Sequence, residues 1–224
     1  MKNISIAVVD YDCGNIHSAT KAIELAMNGS NVKGSVSLTK DPEEIIKSDK
    51  IVLPGVGAFE SCIKKLTSID GLKEALDEAV LVKAKPILGI CIGLQLMATS
   101  GFEGGKHSGL NWIEGDVIPL EPKDKKSKIP HMGWNNIDAK KHHPVFNGIK
   151  GSDYYFVHSY KFSPLDKETI ISSTYYGEEI VSSLGKDNIL GTQFHPEKSQ
   201  EAGVSLLKNF IAVSYTHLTL PTIE

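Results

Sequence analysis

Gly89-Ile90-Cys91-Ile92-Gly93 has the form G-x-C-x-G and stands where an apolar run gives way to a helical pattern. This is the thiol counterpart of a nucleophile elbow. Flanking glycines let the backbone turn tightly and leave the nucleophile projecting above the end of a sheet. The helix dipole favours a thiolate there, and the next N–H, from Ile92, points where an oxyanion would form. A structural cysteine at a strand end is the plainer alternative. The second signal is His195-Pro196-Glu197, which closes the stretch Gly191-Thr192-Gln193-Phe194. Proline disfavours helical backbone in the residue before it, which predicts an extended His195 with residues 195 and 197 pointing the same way. Glu197 can then orient the imidazole, as base-assisted thiol attack and later protonation of a leaving amine require. Alone, the motif is weak and reads sooner as a surface turn with an incidental His and Glu; beside the elbow the two support each other. A third element, Pro54-Gly55-Val56-Gly57, follows an apolar run and can turn a backbone N–H toward a developing negative charge. A simple strand-to-helix turn is its alternative.

Other polar residues are weaker candidates. His107 and the pair His142-His143 lack metal-ligand spacing, and the chain contains no C-x-x-C or H-E-x-x-H, so neither a metal nor a cofactor is expected. Cys62 falls on the apolar stripe Phe59, Cys62, Ile63, Leu66 and is expected in the core.

The elements around these motifs alternate. Strands are predicted over residues 4–9, 36–38, 51–53 and 86–90, and helices over residues 15–27, from 41, from 59, over 72–80 and over 92–98. Helices of this length between strands imply parallel crossovers and a covered central sheet. From Gly115 onward the strand candidates, residues 116–120, 154–157, 169–175, 179–184 and 189–194, are separated by turn residues. The fold class expected is therefore α/β, three-layered, with a mostly parallel central sheet and an antiparallel extension in the second half. A last helix is expected over residues 200–212. Residues 1–213 form the expected domain, and residues 214–224 read as a disordered or non-native tail.

Composition narrows the function classes. At 224 residues the chain has room for one full domain, and a net charge of −3 gives no support for nucleic-acid binding. Three widely spaced cysteines make no disulfide framework, and no apolar run of membrane length or leader pattern occurs, so a reduced, cytoplasmic protein is expected. All 24 basic residues are lysines. Any anionic group must therefore meet lysines, backbone N–H groups or helix N-termini instead of a guanidinium fork.

Gly89-Ile90-Cys91-Ile92-Gly93-Leu94-Gln95 together with Gln193-Phe194-His195-Pro196-Glu197 resembles the class I glutamine amidotransferases. More narrowly, Pro54-Gly55-Val56-Gly57-Ala58-Phe59, Pro130-His131-Met132-Gly133-Trp134-Asn135 and Tyr155-Phe156-Val157-His158-Ser159-Tyr160 resemble the glutaminase subunits of imidazole glycerol phosphate synthase. The resemblance runs over residues 4–211 and departs from the family pattern at Cys13 and in the elbow flank Ile92-Gly93-Leu94. It implies a Cys91, His195, Glu197 triad that hydrolyses glutamine through a thioester. It implies an oxyanion hole from Ile92 with Val56 and Gly57, and a glutamine pocket lined by Gly57, Gln95, His158, Ser159 and Tyr160. It also implies a heterodimer with a separate (β/α)₈ cyclase subunit that receives the ammonia, with Asn15, Met132, Trp134 and Asn135 at the interface. A glutaminase for another synthase, a stand-alone γ-glutamyl thiol hydrolase and a catalytically silent binding subunit are the competing readings.

Overall fold

A computed structural model describes residues 3–213 apart from 125 and 152, so the expected tail lies outside the described residues. Strand β1 (Ile4–Val9) leads into α1 (Ile16–Asn28), then β2 (Gly34–Thr39), α2 (Pro42–Lys47), β3 (Lys50–Leu53), α3 (Phe59–Ser68) and α4 (Leu72–Asp77). One π-helical turn, Glu78–Val82, extends α4 before β4 (Ile87–Ile90) and α5 (Ile92–Leu96). Apolar stripes explain the helices: α3 buries Phe59, Cys62, Ile63 and Leu66 at i, i+3, i+4 and i+7. Proline and acid open α2, where the Asp41 side chain accepts from the Glu43 N–H.

The second half contributes β5 (Ser100–Gly101), β6 (His107–Ser108), β7 (Gly115–Pro119), β8 (His131–Asn136) and β9 (Asp138–Ala139). Then come β10 (Asp153–His158), β11 (Tyr160–Pro164), β12 (Ile170–Tyr175), β13 (Glu179–Lys186), β14 (Ile189–Thr192) and α6 (Gln200–Ala212). The main sheet has eight strands in the order β2-β1-β3-β4-β14-β13-β12-β9. Its first five strands are parallel to their neighbours, and β13, β12 and β9 extend it antiparallel. Every residue of β3, β4 and β14 is buried, as expected where helices cover both faces of a parallel sheet. Helix α1 packs with α6, and α3 packs with α4 and α5. Lys50 of β3 is buried and donates through Nζ to the Phe210 carbonyl at 2.7 Å, tying the end of α6 to the sheet.

Two smaller sheets stand beside the main one, a β8–β10 ribbon and the four strands β11-β7-β5-β6. Neither β8 nor β11 is expected from the sequence. In β8 the pattern is inverted, because His131 is buried while Met132 and Trp134 are exposed. In β11 a short run ends at Pro164.

Candidate active site

Cys91 sits between the end of β4 and the start of α5 with φ 54° and ψ −106°, a backbone shape that L-residues seldom adopt. Both flanks hold it there. Its N–H donates to the Thr192 carbonyl at 2.8 Å, continuing the β4–β14 ladder, and its carbonyl accepts from Gln95 N–H at 3.1 Å, opening the helix. A Cβ on Gly89 would lie 2.8 Å from the Gly93 backbone, and one on Gly93 only 1.7 Å from the Leu53 carbonyl oxygen. The glycines are therefore required by close approach. The Sγ is buried, 3.9 Å from the Val157 carbonyl and 3.7 Å from Gln193 Nε2, which donates to it. Helix α5 has only five residues, so its first N–H groups, and not a long dipole, set the local field at the sulfur.

Strand β14 delivers the histidine beside this elbow, since Thr192 is in register with Ile90. His195 is extended, at φ −102° and ψ 97°, but Pro196–Lys198 is a 3₁₀ turn. Glu197 thus reaches back from a turn, and not along an extended strand as the i, i+2 argument assumes. The result is a 2.7 Å bond between His195 Nδ1 and Glu197 Oε1. The backbone is pinned as well: His195 N–H donates to Tyr155 carbonyl at 2.9 Å, and Ser199 Oγ donates to the His195 carbonyl at 2.7 Å. Nε2 of His195 is buried and makes no hydrogen bond among the described residues, leaving it available to Cys91. Burial works against a charged ring here, but the adjacent Cys91 sulfur and the Glu197 carboxylate outweigh it, and the imidazole is raised to about 10.

A cavity of about 280 Å³ is lined by Cys91 together with Ile92, Val56, Gly57, Gln95, His158, Ser159 and Tyr160. His195 and Glu197 do not line it. Gly57 has φ +128°, which a side chain would strain. Gln95 Nε2 donates at 3.0 Å to both the Tyr160 carbonyl and Gln193 Oε1, while its Oε1 is a buried acceptor with no partner among the described residues. Cys62 is in the core, donating to the Val56 carbonyl at 3.7 Å, and burial pushes its thiol well up. Among the described residues no group of three His, Cys, Asp or Glu could hold a metal ion, and no helix is long and apolar enough to cross a membrane.

The family model for class I glutamine amidotransferases matches residues 9–213. The chain belongs to that family. It is 48% identical over 208 residues to the imidazole glycerol phosphate synthase subunit HisH of Rhodospirillum rubrum, covering 92% of this chain and 97% of that one. With the subunit of the same name from Rhodopseudomonas palustris it is 47% identical, covering 93% of this chain and 98% of that one. In fold this amidotransferase is similar to a putative GMP synthase subunit from Thermoplasma acidophilum, with a TM-score of 0.67, 21% identity and 94% of each chain covered. A glutamine amidotransferase from Thermotoga maritima matches with a TM-score of 0.59 at 17% identity, over 88% of this chain and 77% of that one.

One lining residue of the amidotransferase pocket escapes sequence reasoning. Glu103 lies in the Gly101-Phe102-Glu103-Gly104-Gly105 stretch, which reads as having no strand before it and no dinucleotide-binding pattern, and yet borders the cavity with its Oε2 accepting from Phe59 N–H at 2.7 Å. An acid between glycines shortly after an elbow helix is the signal that could have found it. Pro130 and Val157 also line the cavity. The residues expected at an interface are split. Met132 and Trp134 share one face of β8 and are 61% and 50% exposed, whereas Asn135 is half-buried on the other face. Asn15 is exposed in a separate loop, which touches Val56 through Gly14.

Proposed function

We propose that this amidotransferase is the glutaminase subunit of an imidazole glycerol phosphate synthase, with Cys91, His195 and Glu197 as its triad and ammonia as the product passed to a separate cyclase subunit. The observation that carries the triad is the 2.7 Å Glu197–His195 bond, which leaves a buried, unpartnered Nε2 beside an elbow cysteine. Likeness to HisH subunits over 97% of their length supports the choice of pathway.

The Sγ of Cys91 attacks the side-chain amide carbon of glutamine, and the oxygen takes the negative charge. The Ile92 N–H and a backbone N–H from Val56 or Gly57 hold that oxygen, the contribution that dominates acyl transfer. His195 takes the proton of the Cys91 thiol as the sulfur attacks and passes it to the leaving nitrogen as the C–N bond breaks, giving ammonia and a glutamyl thioester. Water then attacks the thioester, His195 takes the proton, and the C–S bond breaks to release glutamate. The free Gln95 Oε1 suits an N–H donor of the substrate, and the Glu103 carboxylate suits its ammonium group. With no arginine in the chain, backbone N–H groups around Ser159 and Tyr160 are left to meet the substrate carboxylate.

The partner reading follows from waste: a glutaminase running without its acceptor consumes glutamine to no purpose. We therefore place the cyclase, a (β/α)₈ subunit in a heterodimer, over the face that exposes Met132 and Trp134. The test is glutamate release by the chain alone, with the cyclase, and with the cyclase plus its nucleotide ligand. Low turnover alone and a large rise with both fit the proposal. Equal, high turnover throughout would instead identify a stand-alone hydrolase, and none in any condition a silent subunit.

A further inference from the structure

His158 lines the pocket, but neither of its ring nitrogens is free for a substrate. Nδ1 lies 2.8 Å from the Tyr160 carbonyl, and Nε2 lies 3.0 Å from Nδ1 of His131. The direction of each bond is fixed from the ends. The Tyr160 carbonyl can only accept, so His158 Nδ1 carries its hydrogen. Burial above all holds both rings neutral, lowering His158 to about 3 and His131 to about 4, so each has one N–H and one acceptor. His158 Nε2 therefore accepts from His131 Nδ1–H, and His131 Nε2 accepts from Asn135 Nδ2 at 3.3 Å. The second hydrogen of that amide goes to the Tyr175 carbonyl at 3.0 Å, and its Oδ1 accepts from Asn136 N–H at 2.9 Å. A single arrangement of protons satisfies every side-chain nitrogen of His158, His131 and Asn135.

The strut matters because of what it holds. The β8–β10 ribbon pairs His131 with His158 in register and is two strands wide. Such a ribbon is marginal by itself, so side-chain and backbone ties must set its position. It touches the catalytic centre twice, through the Tyr155 carbonyl on His195 N–H and the Val157 carbonyl against Cys91 Sγ. At the pocket end the ring of His131 is stacked between Phe156 at 4.7 Å and Tyr176 at 4.1 Å.

We propose that His131 is a positioning residue for the glutamine pocket, fixing through His158 the wall of residues 157–160 against Cys91. The proposal rests on the reading of this cavity as the glutamine site. Its rival is that His131 only fills space between two aromatic rings. His131→Phe keeps the stacking and removes the donor, leaving His158 Nε2 buried and unpaired. His131→Asn returns an N–H near the place of Nδ1.

Assayed with the cyclase and its nucleotide ligand, His131→Phe is expected to lower kcat/KM for glutamine roughly tenfold, the cost of one orphaned buried acceptor, chiefly through KM. His131→Asn should recover most of that loss. Wild-type kcat/KM in His131→Phe, or equal loss in both variants, would overturn the proposal. Should neither variant fold, ¹⁵N chemical shifts of the wild-type histidines decide: both rings must be neutral Nδ1–H tautomers, and an Nε2–H on either one refutes the strut. That measurement uses no substrate. A wild-type chain that releases no glutamate would therefore overturn the glutamine-site reading on which the positioning role rests, whereas the wrong tautomer would overturn the strut itself, and the two failures are told apart.

Discussion

Gly93→Ala tests whether close approach of α5 to the sheet is what aims the nucleophile. The added Cβ would sit 1.7 Å from the Leu53 carbonyl oxygen, short of ordinary van der Waals contact by about 1.7 Å. Leu53 cannot yield, because β3 is buried at every residue and hydrogen-bonded on both sides. The helix must therefore move, and Cys91 and the Ile92 N–H move with it. Overpacking of this kind costs roughly 1–3 kcal/mol, or about 3–10 °C in Tm for a domain of this size. The effect on rate should be larger, since a misplacement of about 1 Å can cost on the order of 10²-fold. Glutamate release at saturating glutamine with the cyclase present, set beside thermal unfolding, separates the two. Gly148→Ala is the control: φ is +69° there and nothing lies within 4 Å of an added Cβ, so only backbone strain of about 1–2 kcal/mol is introduced and kcat should not move. A folded Gly93→Ala protein with wild-type kcat would refute the argument that this contact positions Cys91.

Cys91→Ala should lower glutamine hydrolysis by several orders of magnitude, whereas Cys13→Ala and Cys62→Ala should stay within a few-fold of wild type; comparable loss from either would move the nucleophile elsewhere. His195→Ala should be at least as damaging as Glu197→Gln, because loss of the base removes roughly 10²- to 10⁴-fold and loss of the orienting carboxylate mainly spoils geometry. The same pair gives a pH signature. His195 is raised to about 10 in the folded protein, so its stabilisation is complete below the ordinary imidazole value near 6.5 and is lost as pH climbs through about 10. Cys91 is the larger cause of that rise and remains in Glu197→Gln, so the unfolding midpoints of wild type and Glu197→Gln should only draw closer over that window; a gap that widens would contradict the ion pair. Glu103→Gln should raise KM for glutamine roughly 10- to 100-fold with little change in kcat, since the neutral side chain can still accept from Phe59 N–H, and an unchanged KM would remove Glu103 from the site. Trp134→Ala should weaken cyclase binding by about 30-fold or more, as loss of an exposed aromatic anchor does, while turnover of the isolated chain is unchanged; titration calorimetry and the two-condition glutamate assay check both halves.

The first half of the fold was legible because its strands are short apolar runs and its helices keep one stripe, as in Ile51-Val52-Leu53 followed by Phe59, Cys62, Ile63 and Leu66. Strand β8 was not, for a reason that bears on function. Periodicity assumes that apolar side chains go inside, and in β8 the buried side chain is His131 while Met132 and Trp134 face outward. An exposed apolar face and a buried, hydrogen-bonded histidine both invert the pattern. Sheet order was illegible for a different reason. That β14 pairs with β4, bringing Thr192 beside Ile90, is a contact between distant segments that no local window contains.

The candidate site divides along the same line. Cys91 could be read because the elbow's chemistry and its backbone requirement lie within five consecutive residues, and the extended His195 because a proline follows it, whereas the turn that brings Glu197 back to the ring was not legible. Glu103 and His131 could not, since each takes its role from an atom on another element: the Phe59 N–H at the start of α3 for one, the His158 ring across the ribbon for the other. His158 shows the limit most clearly. Its place in the pocket follows from the His158-Ser159-Tyr160 motif, but with Nδ1 and Nε2 both occupied its ring can serve glutamine only as a wall. Its mutation should therefore act through the position of Val157 against Cys91 and not through a lost bond to substrate.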